Sequence, residues 1–212
     1  VYERAAAARR VGRVLVATDD ERIFDTVRSF GGHAVTTSPE HATGTDRIAE
    51  AIRGTDADLI LNVQGDEPLI PPAVIDRLVE TFDNADVPMA TVAVPFRLTA
   101  ARPDDPNAVK VVLDNQGFAL YFSRSLIPFC RAGGTAVEPL LHWGLYAYRR
   151  AFLEQFVGWP RGRLEQCEML EQLRALENGA RIRVIVADQP TQGVDTPADA
   201  ARVESLIRQQ ES

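Results

Sequence analysis

Short apolar runs alternate along the first 94 residues with stretches in which apolar residues recur every three or four positions. The runs predict strands at 11–17, 33–36, 58–63 and 88–94, and the stretches predict helices at 20–30, 43–53 and 71–82. An unbroken apolar run, such as that at 58–63, is typical of a strand buried on both faces of a parallel sheet. The alternation predicts an α/β fold with a doubly wound, mostly parallel sheet.

The pattern changes after Pro95. The segments 109–113 and 118–122 flank a polar turn with Gly117 and predict an antiparallel hairpin. A long strand at 140–148 follows, then helices at 151–156 and 167–177, a strand at 182–187 and a helix at 197–209. We therefore expect one domain over 1–212, with an inserted antiparallel arm over 96–139 that serves oligomerisation.

Composition excludes several classes of protein. The 23 basic and 30 acidic residues give a net charge of -7, which argues against binding to a nucleic-acid backbone. No apolar run is long enough to span a membrane, and no secretory signal precedes the first strand, so we expect a cytoplasmic protein. Cys130 and Cys167 are isolated and the three histidines are scattered, so neither a disulfide framework nor a zinc site is indicated.

Two acidic positions follow predicted strands. Asp66 lies in Gln64-Gly65-Asp66-Glu67-Pro68, directly after the buried strand, where open α/β sheets bind their ligands. A carboxylate there suits a hard cation that carries phosphates, but a polar turn explains the same residues equally well. Asp195 precedes Thr196, and a helix cap explains Thr196 and Asp199 without explaining Asp195. The two carboxylates could share Mg²⁺, although capping is the stronger interpretation from these residues alone.

Three other segments offer candidate binding residues, each with a structural alternative. The helix start at Gly44-Thr45-Asp46-Arg47 suits an anion or a nucleotide base, or is simply a capped helix. In the strand 140–148, His142 and Tyr146 share a face that suits a polyol, or that is partly solvated. Arg124 could pair with a substrate carboxylate or form a surface salt bridge. Glu168 and Gln172 share one face of the helix predicted at 167–177, and such a face is usually only solvated.

Together, in this order, these motifs resemble one family, the CMP-Kdo synthetases or 3-deoxy-manno-octulosonate cytidylyltransferases. The resemblance runs essentially end to end. The matching segments are Val14 to Asp20, Gly44 to Glu50, Asn62 to Pro68, Pro106 to Val112, Leu120 to Arg124, His142 to Arg149, Leu164-Glu165 through Glu171 to Arg174, and Gly193 to Pro197.

The resemblance implies an enzyme that joins CTP to 3-deoxy-manno-octulosonate (Kdo), giving CMP-Kdo and pyrophosphate for lipopolysaccharide assembly. It implies that Asp66 and Asp195 hold Mg²⁺, that Gln64 lies where sugar and nucleotide meet, and that Gly44, Thr45, Asp46 and Arg47 lie on the nucleotide side. It also implies a sugar pocket and a homodimer formed through the inserted arm. The pocket residues would be Arg124, His142, Tyr146, Glu168 and Gln172.

One departure from the family concerns the start of the chain. The family begins with a strand and a Gly-containing loop that grips the triphosphate, and this sequence opens within the helix that should follow. We therefore expect this polypeptide to be a fragment with little or no cytidylyltransferase activity. Two alternatives stay open at this point: a cytidylyltransferase for another acidic sugar, such as an 8-amino Kdo analogue or a sialic acid, and a non-catalytic sugar-nucleotide-binding or oligomerisation module.

Overall fold

The computed structural model describes residues 1–189, 193, 194 and 196–210. The chain divides into two compact units. The first unit comprises Val1–Asp58, Asn62–Asp76 and Thr191–Ser212, and the second unit comprises Leu59–Leu61 and Arg77–Pro190.

The first unit contains a two-stranded parallel sheet and its helices. The elements are α1 (Tyr2–Ala6), β1 (Val16–Thr18), α2 (Glu21–Ser29), β2 (Ala34–Thr36), α3 (Gly44–Ala51) and α8 (Pro197–Gln210). Strands β1 and β2 pair in parallel, with Val16 opposite Ala34 and Thr18 opposite Thr36. The prediction of a strand over 11–17 is wrong in its bounds, because β2 offers a ladder only three residues long.

Side-chain caps set the starts of α2, α3 and α8, as predicted, whereas α1 has no side-chain cap. Asp20 accepts a hydrogen bond from the backbone N–H of Arg22 at 2.8 Å and begins α2. Thr43 accepts one from the N–H of Asp46 at 3.1 Å and begins α3. At α8, Thr196 and Asp199 form the reciprocal pair of a capping box, with N···O distances of 3.2 and 3.1 Å.

The second unit is built on a mixed sheet. Its strands are β3 (Leu59–Asn62, whose last residue belongs to the first unit), β4 (Met89–Pro95), β5 (Lys110–Leu113), β6 (Ala119–Ser123), β7 (Leu140–Arg149) and β8 (Ile182–Val186). The strand order is β6-β5-β7-β4-β8, and β3 also pairs with β7. Strand β4 runs parallel to β8 and antiparallel to β7, and every residue of β4 is buried.

The predicted α/β class and its antiparallel hairpin are confirmed. Strands β5 and β6 pair antiparallel across a turn in which Gly117 has a φ of +79°, a conformation that glycine adopts without steric cost. Strand β5 also pairs antiparallel with β7. The remaining helices are α4 (Pro72–Glu80), α5 (Arg150–Val157), α6 (Arg163–Glu168) and α7 (Leu173–Glu177).

The prediction of one helix over 167–177 is wrong. Helix α6 ends at Glu168, Met169 takes a left-handed conformation (φ 52°, ψ 47°), and α7 starts only at Leu173. The chain folds back here because contacts within the α6–α7 pair hold it, including the Glu177 carboxylate, which accepts from the N–H of Leu164 at 3.0 Å. The apolar side chain of Met169, which a single helix would turn inward with Leu170 and Leu173, is 70% exposed. Glu168 and Gln172 therefore do not share a face of one helix.

Candidate active site

The turn after β3 lies in the first unit and presents Asp66 to solvent. The N–H of Glu67 donates to the carbonyl of Gln64 at 3.3 Å and closes the turn. The side-chain amide of Gln64 reaches back to Oδ1 of the buried Asn62 at 3.3 Å. The N–H of Val194 donates to the carbonyl of Asp66 at 2.8 Å, so the chain next to position 195 lies beside this turn. Asp195 itself, the other predicted metal ligand, lies outside the described residues.

The segment predicted to bind nucleotide forms the start of α3, so the capped-helix interpretation is confirmed. Thr45 is buried, whereas Gly44 is exposed and faces open space: a Cβ built there would meet nothing within 4 Å. The Asp46 side chain accepts from the Thr43 hydroxyl at 3.0 Å.

Arg47 joins this segment to the ends of both strands of the parallel pair. Its guanidinium donates to the hydroxyl of Thr37, which follows β2, at 2.6 Å, and it lies 3.0 Å from the carboxylate of Asp19, which follows β1. Arg47 thus lies at the carboxyl edge of this pair, the kind of edge where α/β sheets bind ligands.

The candidate sugar-binding residues all belong to the second unit, where an aromatic row runs along β7. The His142 ring packs edge-on against Phe122 at 4.9 Å between centroids and lies 5.5 Å from Tyr146. Tyr146 in turn stacks on Tyr148 at 5.9 Å. His142 and Tyr146 are half-buried and Tyr148 is buried. The alternation predicted for β7 is confirmed for the buried Trp143, Leu145 and Ala147, but it fails at Tyr148, which was expected on the polar face and is buried.

Burial controls protonation in this row. Loss of solvation lowers the pKa of His142 to about 3. Loss of solvation, with the neighbouring Tyr148 and the negative charge of Glu171 adding to it, raises the pKa of Tyr146 well above its usual value. Both side chains are therefore neutral near pH 7 and act as hydrogen-bonding groups rather than charges.

Arg124 and Glu168 are held together next to this row. The Glu168 carboxylate accepts from the Ser123 hydroxyl at 2.7 Å and from the N–H of Arg124 at 2.9 Å. The Arg124 guanidinium donates to the backbone carbonyls of Glu168, Pro106 and Met169, at 2.7, 3.0 and 3.3 Å. Of the two alternatives for Arg124, the surface salt bridge is not observed, because its guanidinium donates to backbone oxygens instead. The expectation that Glu168 lies on a solvated helix face is wrong, because its carboxylate is held by Ser123 and Arg124.

Gln172 lies at the start of α7 and is only 4% exposed. Its amide nitrogen is buried and has no hydrogen-bond partner among the described residues. Such a donor is costly to leave unpaired, so it indicates a position where an acceptor from a ligand is expected.

Two supporting features were not anticipated from the sequence. Lys110 is fully buried in β5, and its ammonium donates to the carbonyls of Asp105 and Arg124. Its signal was a lysine between the apolar residues of the hairpin strand predicted at 109–113. The second feature is a buried ion pair between Glu165 of α6 and Arg174 of α7, with bonds of 2.8 and 2.6 Å.

The described residues contain neither a ready-made metal cluster nor a membrane-spanning helix. No described group of three or more His, Cys, Asp or Glu side chains could hold a metal ion. None of the helices in the described part of the chain is long and apolar enough to cross a membrane.

Comparison with known proteins agrees with the resemblance seen in the sequence. Residues 1–182 match the family model described as cytidylyltransferase. The chain is 51% identical to the 3-deoxy-manno-octulosonate cytidylyltransferase of Syntrophotalea carbinolica, over 98% of this chain and 86% of the relative. It is 46% identical to the protein of that name from Vibrio cholerae serotype O1, over 98% of this chain and 85% of the relative.

Solved structures give the same result. A CMP:2-keto-3-deoxy-manno-octonic acid synthetase in complex with CTP is 42% identical and superposes with a TM-score of 0.91, over 99% of this chain and 86% of that one. The 4-diphosphocytidyl-2C-methyl-D-erythritol synthase of Anaerococcus prevotii, at 11% identity and a TM-score of 0.60 over 97% and 83% of the two chains, shares the fold alone. The chain belongs to the cytidylyltransferase family of nucleotidyltransferase enzymes and, within it, to the 3-deoxy-manno-octulosonate cytidylyltransferases, the CMP-Kdo synthetases.

Proposed function

We propose that this enzyme transfers the cytidylyl group of CTP to Kdo, giving CMP-Kdo and pyrophosphate, and that it serves lipopolysaccharide biosynthesis. The observation that carries the proposal is the 51% identity, over 98% of the chain, to a relative named for this reaction. The cytoplasmic location expected from the sequence stays a prediction.

The reaction asks the protein mainly to position its substrates. The anomeric hydroxyl of the sugar attacks the α-phosphorus of CTP in line, and pyrophosphate leaves. Orientation of the two reactants and stabilisation of the developing charge supply most of the rate in such a transfer.

The second unit supplies groups suited to an acidic sugar. Arg124 uses three of its nitrogens on backbone carbonyls, and a guanidinium has five N–H groups, so two remain for the sugar carboxylate. His142, Tyr146 and the unpaired amide of Gln172 are neutral hydrogen-bonding groups that suit sugar hydroxyls. Glu168 orients Arg124 through the backbone N–H that it accepts.

The first unit supplies groups suited to CTP. The exposed backbone at Gly44 leaves room for a ligand at the start of α3, and Arg47, which pairs with Asp19 through Nη1, has further N–H groups to donate there. Thr45 is buried and Asp46 is engaged with Thr43, so these two residues shape the segment. For Gln64 we propose the position expected from the family resemblance, where the sugar meets the nucleotide.

We propose Mg²⁺ as the cofactor, with Asp66 and Asp195 as its protein ligands. The exposed carboxylate of Asp66 fits a hard cation. A site with one or two carboxylates also fits Mg²⁺, which keeps waters and substrate phosphates as its other ligands and needs no cluster of three acidic residues. When bound, Mg²⁺ offsets negative charge on the phosphates.

We further propose that the enzyme is a homodimer formed through the arm over 96–139. The arm carries a groove of about 380 Å³ lined by apolar side chains, and Leu126, Phe129 and Val137 around it are 51%, 89% and 56% exposed. Exposed apolar surface of this kind marks a protein interface. Phe129→Ser should shift the sedimentation coefficient from dimer to monomer, whereas Ile23→Ser, which replaces an equally apolar residue 48% exposed in the first unit, should not. A monomeric wild-type protein would refute the dimer.

The activity is tested by pyrophosphate release from CTP and Kdo by the protein expressed from its complete gene, with an 8-amino Kdo analogue and a sialic acid as competing substrates. We expect the highest kcat/KM with Kdo.

Asp66→Asn should lower kcat by about 100-fold or more, because it weakens charge stabilisation at the phosphates. Asp86→Asn, the same change at an exposed turn residue, should leave kcat unchanged. A preference for another sugar, or no turnover, would refute the proposed substrate, and an active Asp66→Asn enzyme would remove Asp66 from the site.

A further inference from the structure

Thr91 is a polar residue at the centre of the buried strand β4, and its side chain is fully buried. Its hydroxyl oxygen lies 2.8 Å from the carbonyl oxygen of Leu145 and 3.3 Å from that of Trp143. It also lies 3.0 Å from Nε2 of His142. One hydroxyl thus contacts two backbone carbonyls and one ring nitrogen of β7.

An irregularity in the sheet creates this arrangement. Thr91 lies opposite Tyr146, but the next residue, Val92, lies opposite Trp143, so residues 144 and 145 bulge between the two pairs. A bulge disturbs the local ladder and redirects backbone groups. The Thr91 hydroxyl lies at this bulge and forms a hydrogen bond with the carbonyl oxygen of Leu145, a residue of the bulge.

The directions of these hydrogen bonds follow from the number of protons. A threonine hydroxyl has one proton to donate, and a carbonyl oxygen can only accept. An O···O distance of 2.8 Å requires that proton, so the Thr91 hydroxyl donates to Leu145. The lone pairs of the hydroxyl then face Nε2 of His142, and that nitrogen must carry the ring proton.

The other ring nitrogen is consequently an acceptor. A neutral imidazole carries one N–H, so a proton on Nε2 leaves Nδ1 with a bare lone pair. Among the described residues, Nδ1 of His142 has no hydrogen-bond partner. A bare lone pair accepts a hydrogen bond from a hydroxyl and repels a carboxylate.

We propose that Thr91 is a positioning residue that holds His142 in the Nε2–H tautomer, so that Nδ1 accepts a hydrogen bond from a hydroxyl of the bound sugar. This inference rests on the proposed function, because it takes the acidic sugar as the ligand beside His142. It assigns a task to a strand residue that does not touch the sugar. The proposal also gives the two groups of the sugar different partners. His142 accepts from a sugar hydroxyl, and the sugar carboxylate pairs with the guanidinium of Arg124.

The tautomer is measured without substrate, from the ¹⁵N shifts of the histidine rings in the labelled protein, with His142→Gln used to assign the signals. We expect a single Nε2–H form for His142 in the wild type. Thr91→Val keeps the shape of the side chain and removes the hydroxyl, so it should release the tautomer. Thr91→Ser keeps the hydroxyl and should retain it. An Nδ1–H form in the wild type overturns the proposal whether or not any variant folds.

Kinetics test the second part of the proposal. Thr91→Val should raise KM for the sugar about tenfold, the worth of one hydrogen bond, with KM for CTP unchanged, and Thr91→Ser should restore it. The matched control is Thr81→Val, since the half-buried Thr81 also donates to a carbonyl, that of Leu78 at 2.7 Å, and has no histidine contact. A released tautomer with an unchanged KM for the sugar overturns the sugar contact. Absence of turnover in the wild type refutes the proposed function and the sugar contact, while the spectra still decide whether Thr91 sets the tautomer.

Discussion

The buried ion pair between Glu165 and Arg174 is expected to be the most sensitive polar contact of the second unit. Glu165 is 5% exposed and Arg174 is 3% exposed. Their side chains form two hydrogen bonds between α6 and α7, at 2.8 and 2.6 Å. Glu165→Gln keeps the size of the side chain and removes its charge, which leaves the guanidinium buried without its main partner. Breaking a buried pair in this way costs about 3–5 kcal/mol.

The surroundings of Arg174 place the expected loss near the lower end of that range. The carboxylate of Glu171 lies 3.6 Å away and the ring of Phe156 lies 4.8 Å from the guanidinium carbon, and both still offset the charge in the variant. We therefore expect Glu165→Gln to lower the free energy of unfolding by about 3 kcal/mol. The combined change Glu165→Leu with Arg174→Met should cost less than Glu165→Gln alone, because it leaves no unpaired charge in the interior.

Urea unfolding followed by circular dichroism measures both variants. The matched control is Glu204→Gln in α8, where Glu204 and Arg208 pair at 2.5 Å with side chains 63% and 75% exposed. An exposed pair is worth about 0–1 kcal/mol, so the control should unfold at nearly the wild-type urea concentration. A loss for Glu165→Gln no larger than that of the control, or a double variant less stable than the single one, would refute this reasoning.

The remaining predictions concern two buried titratable side chains. The pKa of His142 is about 3 in the folded state and about 6.5 in the unfolded state. Below pH 6.5 the unfolded state therefore binds a proton that the folded state does not, and the free energy of unfolding falls as the pH falls. At pH 4.5 the loss from this residue should be about 2–3 kcal/mol, and His142→Gln should remove that part of the slope in urea titrations between pH 7 and 4.5; identical slopes would contradict the assignment. Lys110→Met should lower the free energy of unfolding by about 1–3 kcal/mol and raise KM for the sugar, because the carbonyls of Asp105 and Arg124 lose their buried donor. Unfolding at the wild-type urea concentration, with an unchanged KM, would show that the ammonium stabilises neither the fold nor the sugar site.

Local signals made much of the fold predictable. The starts of α2, α3 and α8 were predictable because Asp20, Thr43 and Thr196 cap helices through bonds to residues two or three positions away. The hairpin of β5 and β6 was predictable because a polar turn with glycine separates two apolar runs. In each case the residues that determine the structure are close together in the chain.

The features that escaped prediction depend on contacts between distant residues. The apolar spacing at 167–177 fits one helix. In the structure Arg174 donates to Glu165 and the N–H of Leu164 donates to Glu177, both across the α6–α7 pair, and the chain reverses at Met169. The tautomer of His142 depends on Thr91, which lies 51 residues earlier. A sequence pattern carries no record of such pairings.

The single lysine of the chain has a practical consequence. Within residues 1–212, acylating reagents that label the surface lysines of most proteins meet one lysine, Lys110, and it is fully buried in β5. Its rate of acylation, measured by mass spectrometry on the peptide that carries Lys110, therefore reports how often the β5–β6 hairpin opens. A substrate that binds to the sugar-binding residues of the second unit should slow that acylation. Lys110 is therefore an internal probe of local unfolding in this unit. Attachment of dyes or surfaces has to use the exposed Cys130 and Cys167 instead.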